Sequence, residues 1–114
     1  MPFINSKISI KISDEEKDII KTKLGCAIEL IPGKSENWLM VGFDDNYSLY
    51  FKGQPFEKIA YIEVKIFGST SKEAYSMLTN EICNIYNEVL GIPRDRSYVK
   101  YEEVSNWGWN GENF

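Results

Sequence analysis

The sequence predicts an α+β fold: a duplicated βαβ unit whose four main strands form one mixed sheet, with two helices on one face and short extra strands. Three observations predict it. Two segments, 2–12 and 58–67, read as strands, the first by its period-two alternation. A helix-start signal and a helical-period apolar stripe follow each of them. Each stripe then ends at a Pro/Gly signal, and a further strand-like run completes the unit. Two right-handed crossovers place both helices on the same side of the sheet.

In the first unit, Ile4, Ile8, Ile10 and Ile12 mark the strand, and polar Ser6 interrupts its apolar phase. Ser13 with Glu16 three residues on forms a capping box, and Asp14, Glu15 and Glu16 suit the positive end of a helix dipole. Ile19, Ile20, Leu24, Ala27, Ile28 and Ile31 recur at helical spacing until Pro32-Gly33 stops the helix. The apolar run 38–43 reads as a buried strand, Asp44-Asp45-Asn46 as a turn, and 47–51 as a second, aromatic strand.

The second unit repeats the plan. Thr70 and Glu73 make a capping pattern after the 58–67 strand. Ala74, Met77, Leu78, Ile82, Ile85, Val89 and Leu90 then share a helix face. Gly91 suits the C′ position, and Pro93 prevents the helix from resuming. Residues 98–104 form the last substantial strand, and the tail from Asn106 to Gly111 is aromatic and turn-rich. Helices on one face leave the other uncovered. With seven Tyr, six Phe and three Trp in the chain, we expect apolar and aromatic residues there and hence oligomerisation.

Length bounds the chain to one domain over 1–114. A net charge of −4 argues against nucleic acid, whose binding needs a cationic surface. The one basic stretch, Arg94-Asp95-Arg96, is broken by an acid and reads as a solvated loop or helix exit. No apolar run approaches the length of a membrane span, and the polar–apolar start cannot serve as a signal-peptide core. The expected location is the cytoplasm. Cys26 and Cys83 have no CxxC spacing and no histidine partner, so buried free thiols are expected. Histidine is absent and the acids are scattered, which gives no metal-ligand spacing.

The chemistry begins at Pro2. A small second residue permits removal of Met1, which leaves a secondary amine at the new terminus. An ordinary α-amino group titrates near ~8. Desolvation and a neighbouring cation both favour its neutral form. In a chain without histidine, such an amine is a general base suited to proton abstraction α to a carbonyl.

Pro2-Phe3-Ile4 at the start, Gly33-Lys34 after the first helix, and Asp95-Arg96-Ser97-Tyr98 leading to Asn106-Trp107-Gly108-Trp109-Asn110 occur in the order and spacing of one family. On these segments and the duplicated βαβ, the chain resembles the macrophage migration inhibitory factor family of the tautomerase superfamily over nearly its whole length. The resemblance implies a homotrimer with active sites between subunits and cofactor-independent tautomerisation of phenylpyruvate-like 2-oxo acids. Pro2 would be the catalytic base and then the acid. Lys34 would bind the substrate carboxylate and depress the Pro2 pKa, and Tyr98 would come from an adjacent subunit. Val64 would contact substrate through its backbone. Trp38, in place of a tyrosine, would wall the pocket with Trp109 and Phe114.

Two departures stand out. Lys100 replaces an asparagine that contacts the far end of the substrate, and a second cation there favours a more anionic substrate. Phe56 and Ile59 stand where the family carries a CxxC segment, so thiol oxidoreductase activity is not expected.

The residues alone leave other readings open. Lys34 at a helix exit can simply complement the helix dipole. Tyr98 can be an ordinary strand residue, and Lys100 can sit on a solvated edge. Trp107 and Trp109 can serve core or subunit packing. A second function is a cytokine-like or host-interacting protein with a weak or vestigial site, exported without a signal peptide and binding a receptor. A third is a ferredoxin-like regulatory or RNA-binding module, which the acidic charge disfavours.

Overall fold

In the computed structural model, which describes residues 1–114, strand β1 (Pro2–Ile8) leads into helix α1 (Asp14–Ala27) and strand β2 (Met40–Asp44). Strand β3 (Ala60–Phe67) leads into α2 (Lys72–Leu90) and β4 (Ser97–Val104), and the chain closes on the two-residue strands β5 (Gly108–Trp109) and β6 (Glu112–Asn113). Within each unit the strands are parallel, β1 with β2 and β3 with β4. An antiparallel β1–β3 ladder joins the units, giving the order β2-β1-β3-β4. This is the expected mixed sheet with two helices.

Alternation along the central strands builds the core. Ile4, Ile8, Ile62, Val64 and Ile66 point from the sheet into the same cluster as Ile20, Leu24 and Ile28 from the first helical segment and Leu78, Ile82, Ile85 and Tyr86 from α2. Ser6 keeps the inward phase and is fully buried. Its hydroxyl is paired with the Tyr86 hydroxyl, which satisfies both polar atoms inside the core. Burial holds the Tyr86 phenol above its ordinary pKa.

Helix α1 begins as expected, with Ser13 Oγ accepting from the Glu16 N–H and the Glu16 carboxylate accepting from the Ser13 N–H. For α2 the cap is one residue later than the sequence pattern indicates. Ser71, not Thr70, is the N-cap, and its Oγ accepts from the Ala74 N–H at 3.1 Å. Gly91 ends α2 in the left-handed conformation, φ 70°.

Four expectations need correction. The 47–51 segment is not a sheet strand; only Phe51 makes a bridge, to Gln54 across a turn. The strand expected at 38–43 starts at Met40 and lies at the sheet edge, half-exposed, while Trp38 closes a single 3-10 turn, Glu36–Trp38. Cys26 is exposed, because its helix position turns away from the sheet; Cys83 is buried as expected.

The fourth concerns the uncovered sheet face, where charged residues alternate with the expected apolar and aromatic ones. The strand registers set Asp44 beside Lys7, Glu63 beside Lys100, and Lys65 beside Glu102, with Phe3, Tyr61 and Tyr98 among them. Lys7 donates to Glu63 at 3.0 Å. That bond holds the Glu63 carboxyl below its ordinary pKa, and the Lys7, Lys65 and Lys100 charges add to it. Each of the three lysines, Lys7, Lys65 and Lys100, lies beside an acid on a neighbouring strand.

Candidate active site

Pro2 opens β1 directly opposite Ile66 of β3 and is buried. A strand's first residue tolerates the missing N–H of proline. Just beyond this pair, the Phe67 N–H donates to the Met1 carbonyl at 3.0 Å. The Phe67 carbonyl in turn accepts from the Lys34 ammonium at 2.8 Å. Phe67 therefore couples the start of the chain to the segment that follows α1.

Pro32-Gly33 makes this reach feasible. After the 3-10 turn Ile28–Leu30, Gly33 takes φ 82°, and the Lys34 N–H donates back to the Ile31 carbonyl at 3.1 Å. The chain reverses there and projects Lys34 toward the end of the interior strand β3. Desolvation, then the Lys34 charge and its hydrogen bond, lower the Met1 amine from 8.0 to about 6.

A cavity of about 560 Å³ opens at this end of the sheet. Met1, Pro2, Phe3, Trp38, Met40 and Trp109 supply most of its wall, and Asn37 contributes an amide. Trp38 and Trp109 meet edge to face, with centroids 5.0 Å apart. Trp109 is delivered by the C-terminal hairpin, whose turn at Asn110-Gly111 has positive φ at both residues, 53° and 83°. These are the torsion signs of the tight hairpin turn that Asn-Gly favours. The Phe114 N–H ties the hairpin to the Trp107 carbonyl at 3.0 Å, and its ring packs on Phe67 at 5.7 Å.

Pro2, Lys34, Trp38, Trp109 and Phe114 thus converge on one end of the sheet, through the cavity wall or through Phe67. Val64 lies two residues from the Pro2–Ile66 pair, opposite Ile4, with its side chain wholly in the core. Tyr98 and Lys100 do not join them within one chain. Tyr98 pairs with Tyr61, five strand positions from Ile66 and so about 17 Å along the sheet. Lys100 pairs with Glu63 on the open face.

Sequence reasoning missed Asn37, Phe3 and Met40 as wall residues and Phe67 as the anchor of Lys34. The Phe3–Met40 register pair brings two of these together, but only strand pairing reveals it. The Asn-Gly dipeptide was a readable sign of the hairpin.

A sequence profile described as macrophage migration inhibitory factor (MIF) matches residues 1–114. Among solved structures, the chain is similar to Leishmania major MIF2 at 30% identity, covering 100% of this chain and 97% of the other, with TM-score 0.93. A macrophage migration inhibitory factor homologue from Prochlorococcus marinus is 28% identical, with 98% of each chain covered and TM-score 0.83. A structure described as an R7 fused 4-OT wild type asymmetric trimer shares the fold at 14% identity and TM-score 0.84, over 97% of this chain and 94% of that one. Comparison with curated protein sequences gave no match.

Proposed function

This chain belongs to the macrophage migration inhibitory factor family, and from that premise we propose that it is a keto–enol tautomerase acting on phenylpyruvate-like 2-oxo acids. Pro2, freed by removal of Met1, is the general base and then the general acid. The observation that carries this reading is the placement of the Lys34 ammonium, through Phe67, at the chain terminus beside an aromatic cavity.

In the proposed reaction, a substrate carboxylate pairs with Lys34, which spends one N–H on Phe67 and keeps the others free. This fixes the carbon next to the carbonyl within reach of the neutral Pro2 nitrogen. Pro2 takes a proton from that carbon, the enolate forms, and the proton returns to oxygen; the reverse sequence converts enol to ketone. The scheme needs no cofactor, because the proton lost at one atom is regained at the other. Trp38, Trp109 and Phe114 pack the apolar part of the substrate and exclude water, which strengthens the Lys34–carboxylate attraction.

Tyr98 and Lys100 enter the scheme from a neighbouring subunit of a homotrimer. Their distance from Pro2 within one chain favours that assembly. Val64 contributes only backbone. The site of action in this reading is the cytoplasm.

The test is an intact-mass measurement combined with an enol–keto ultraviolet assay of phenylpyruvate. The expected mass lacks Met1, and an alanine inserted between Met1 and Pro2 abolishes turnover while the fold is retained. Full activity of the insertion variant sinks the mechanism. A second reading, a cytokine-like binding protein, follows from family membership alone; receptor binding undiminished in a turnover-dead Pro2→Gly variant supports it.

A further inference from the structure

Tyr98 is 63% exposed, yet its ring is not free. The ring of Phe51 meets it edge to face, with centroids 5.4 Å apart and planes at 74°. Phe51 is itself fixed by its backbone. Its N–H donates to the Gln54 carbonyl at 2.8 Å, and the Gln54 N–H donates back at 2.9 Å. Lys52 and Gly53 between them have φ 52° and 73°. Positive φ at both central residues identifies a tight, rigid turn. Behind it, Phe56 packs on Phe51 at 6.5 Å, and the Arg96 guanidinium lies 3.7 Å from the Phe56 ring centroid. Arg96 and Tyr98 are two residues apart, so the stack Arg96–Phe56–Phe51–Tyr98 closes on the start of β4.

An ordinary exposed tyrosine samples several rotamers, and ordering it costs free energy each time a ligand is bound. A stack that begins and ends on the same short segment removes that freedom beforehand. We propose that Phe51 is a positioning residue: held by the 51–54 turn and backed by Phe56 and Arg96, it orients Tyr98 toward the active site of the adjacent subunit. This rests on the tautomerase reading and on Tyr98 acting there. It also gives the 45–59 connection, which contributes no sheet strand, a definite task.

The experiment compares wild type, Phe51→Leu, Tyr98→Phe and the double variant, using the phenylpyruvate assay and sedimentation velocity. In parallel, the protein is labelled with 3-fluorotyrosine, and the residue-98 resonance is assigned by its loss in Tyr98→Phe. The expected result for Phe51→Leu is an unchanged assembly and a fall in kcat/KM of about three- to tenfold, the range an edge-to-face pair supports. The pH midpoint of the free enzyme stays in place, because Phe51 does not touch Pro2. In the Tyr98→Phe background the same substitution costs little, since the group being oriented is gone. The residue-98 fluorine signal moves toward that of free tyrosine.

Equal kcat/KM in Phe51→Leu and wild type, additive losses in the double variant, or an unmoved fluorine signal overturns the proposal. Dissociation of the assembly in Phe51→Leu also overturns it, by assigning Phe51 to subunit contact instead. If wild type shows no Pro2-dependent turnover, the tautomerase reading fails on its own. The fluorine spectrum then still decides whether Phe51 orients Tyr98.

Discussion

Lys34 donates to the carbonyl of Phe67 at 2.8 Å, and this single bond sets where the cation sits relative to the chain terminus. A lysine tethered in this way is a fixed charge rather than a mobile one, so its field acts on whichever amine ends the chain. Replacing it with methionine keeps the stem and removes the charge. The expected outcome for Lys34→Met is an upward shift in the pH midpoint of kcat/KM, because the neutral amine loses its cationic neighbour, together with a large rise in KM for a carboxylate substrate. Initial rates across pH check both; an unmoved midpoint separates Lys34 from the base.

A chain that retains Met1 makes a stability prediction with a definite sign. Its amine titrates at about 6 when folded, against 8.0 ordinarily. Between those values the unfolded chain holds a proton that the folded chain does not. Stability from this group is therefore complete above the unfolded value and is lost as pH falls through the window to about 6. Urea denaturation of the Met1-retaining protein is expected to show this slope. The Nα-acetylated protein, which cannot titrate there, is expected to lack that contribution.

Subunit sharing can be tested by complementation. Pro2→Gly and Tyr98→Ala proteins are each expected to be weakly active. When they are unfolded together and refolded as mixed assemblies, some sites pair an intact Pro2 with an intact Tyr98 from the neighbour. Activity is then expected to rise above that of either parent. No recovery after verified mixing places Tyr98 outside the shared site.

The Ser6–Tyr86 pair is a buried polar contact that neither partner can leave without cost. Tyr86→Phe strands the Ser6 hydroxyl in the core and is expected to destabilise the fold by about 1–3 kcal/mol. Ser6→Ala combined with Tyr86→Phe removes both polar groups and is expected to recover part of that loss. Chemical denaturation of the three variants measures the non-additivity.

Gly25 offers a gain. It lies within α1, and the Glu36 carboxylate occupies the space a Cβ would take. The obstacle is the side chain of exposed Glu36 from its Cγ outward, which can turn about its own rotamers, while glycine inside a helix costs up to about 1 kcal/mol relative to alanine. Gly25→Ala is expected to raise the melting temperature, with the Glu36 side chain swinging aside. A lower melting temperature shows that the Glu36 contact outweighs helix propensity.

Hydrophobic period, capping residues and stop signals are local, so the two βαβ units can be read from the chain without any folding. Ser13 with Glu16, and Gly91 at the end of α2, were legible for that reason. Pro2 stands out as a candidate base from its place in the chain, and Lys34 as a candidate cation from the resemblance. The rest depends on contacts between segments far apart in the chain, which form only on folding. Phe67 became the anchor of Lys34 through strand pairing that no local pattern encodes. The open face became a charge lattice once register set Lys7, Lys65 and Lys100 beside acids on other strands. Residues 47–51 looked like a strand because aromatic residues suit strands, but a ladder needs a partner edge. In this chain the segment instead runs into the turn that holds Phe51 against Tyr98.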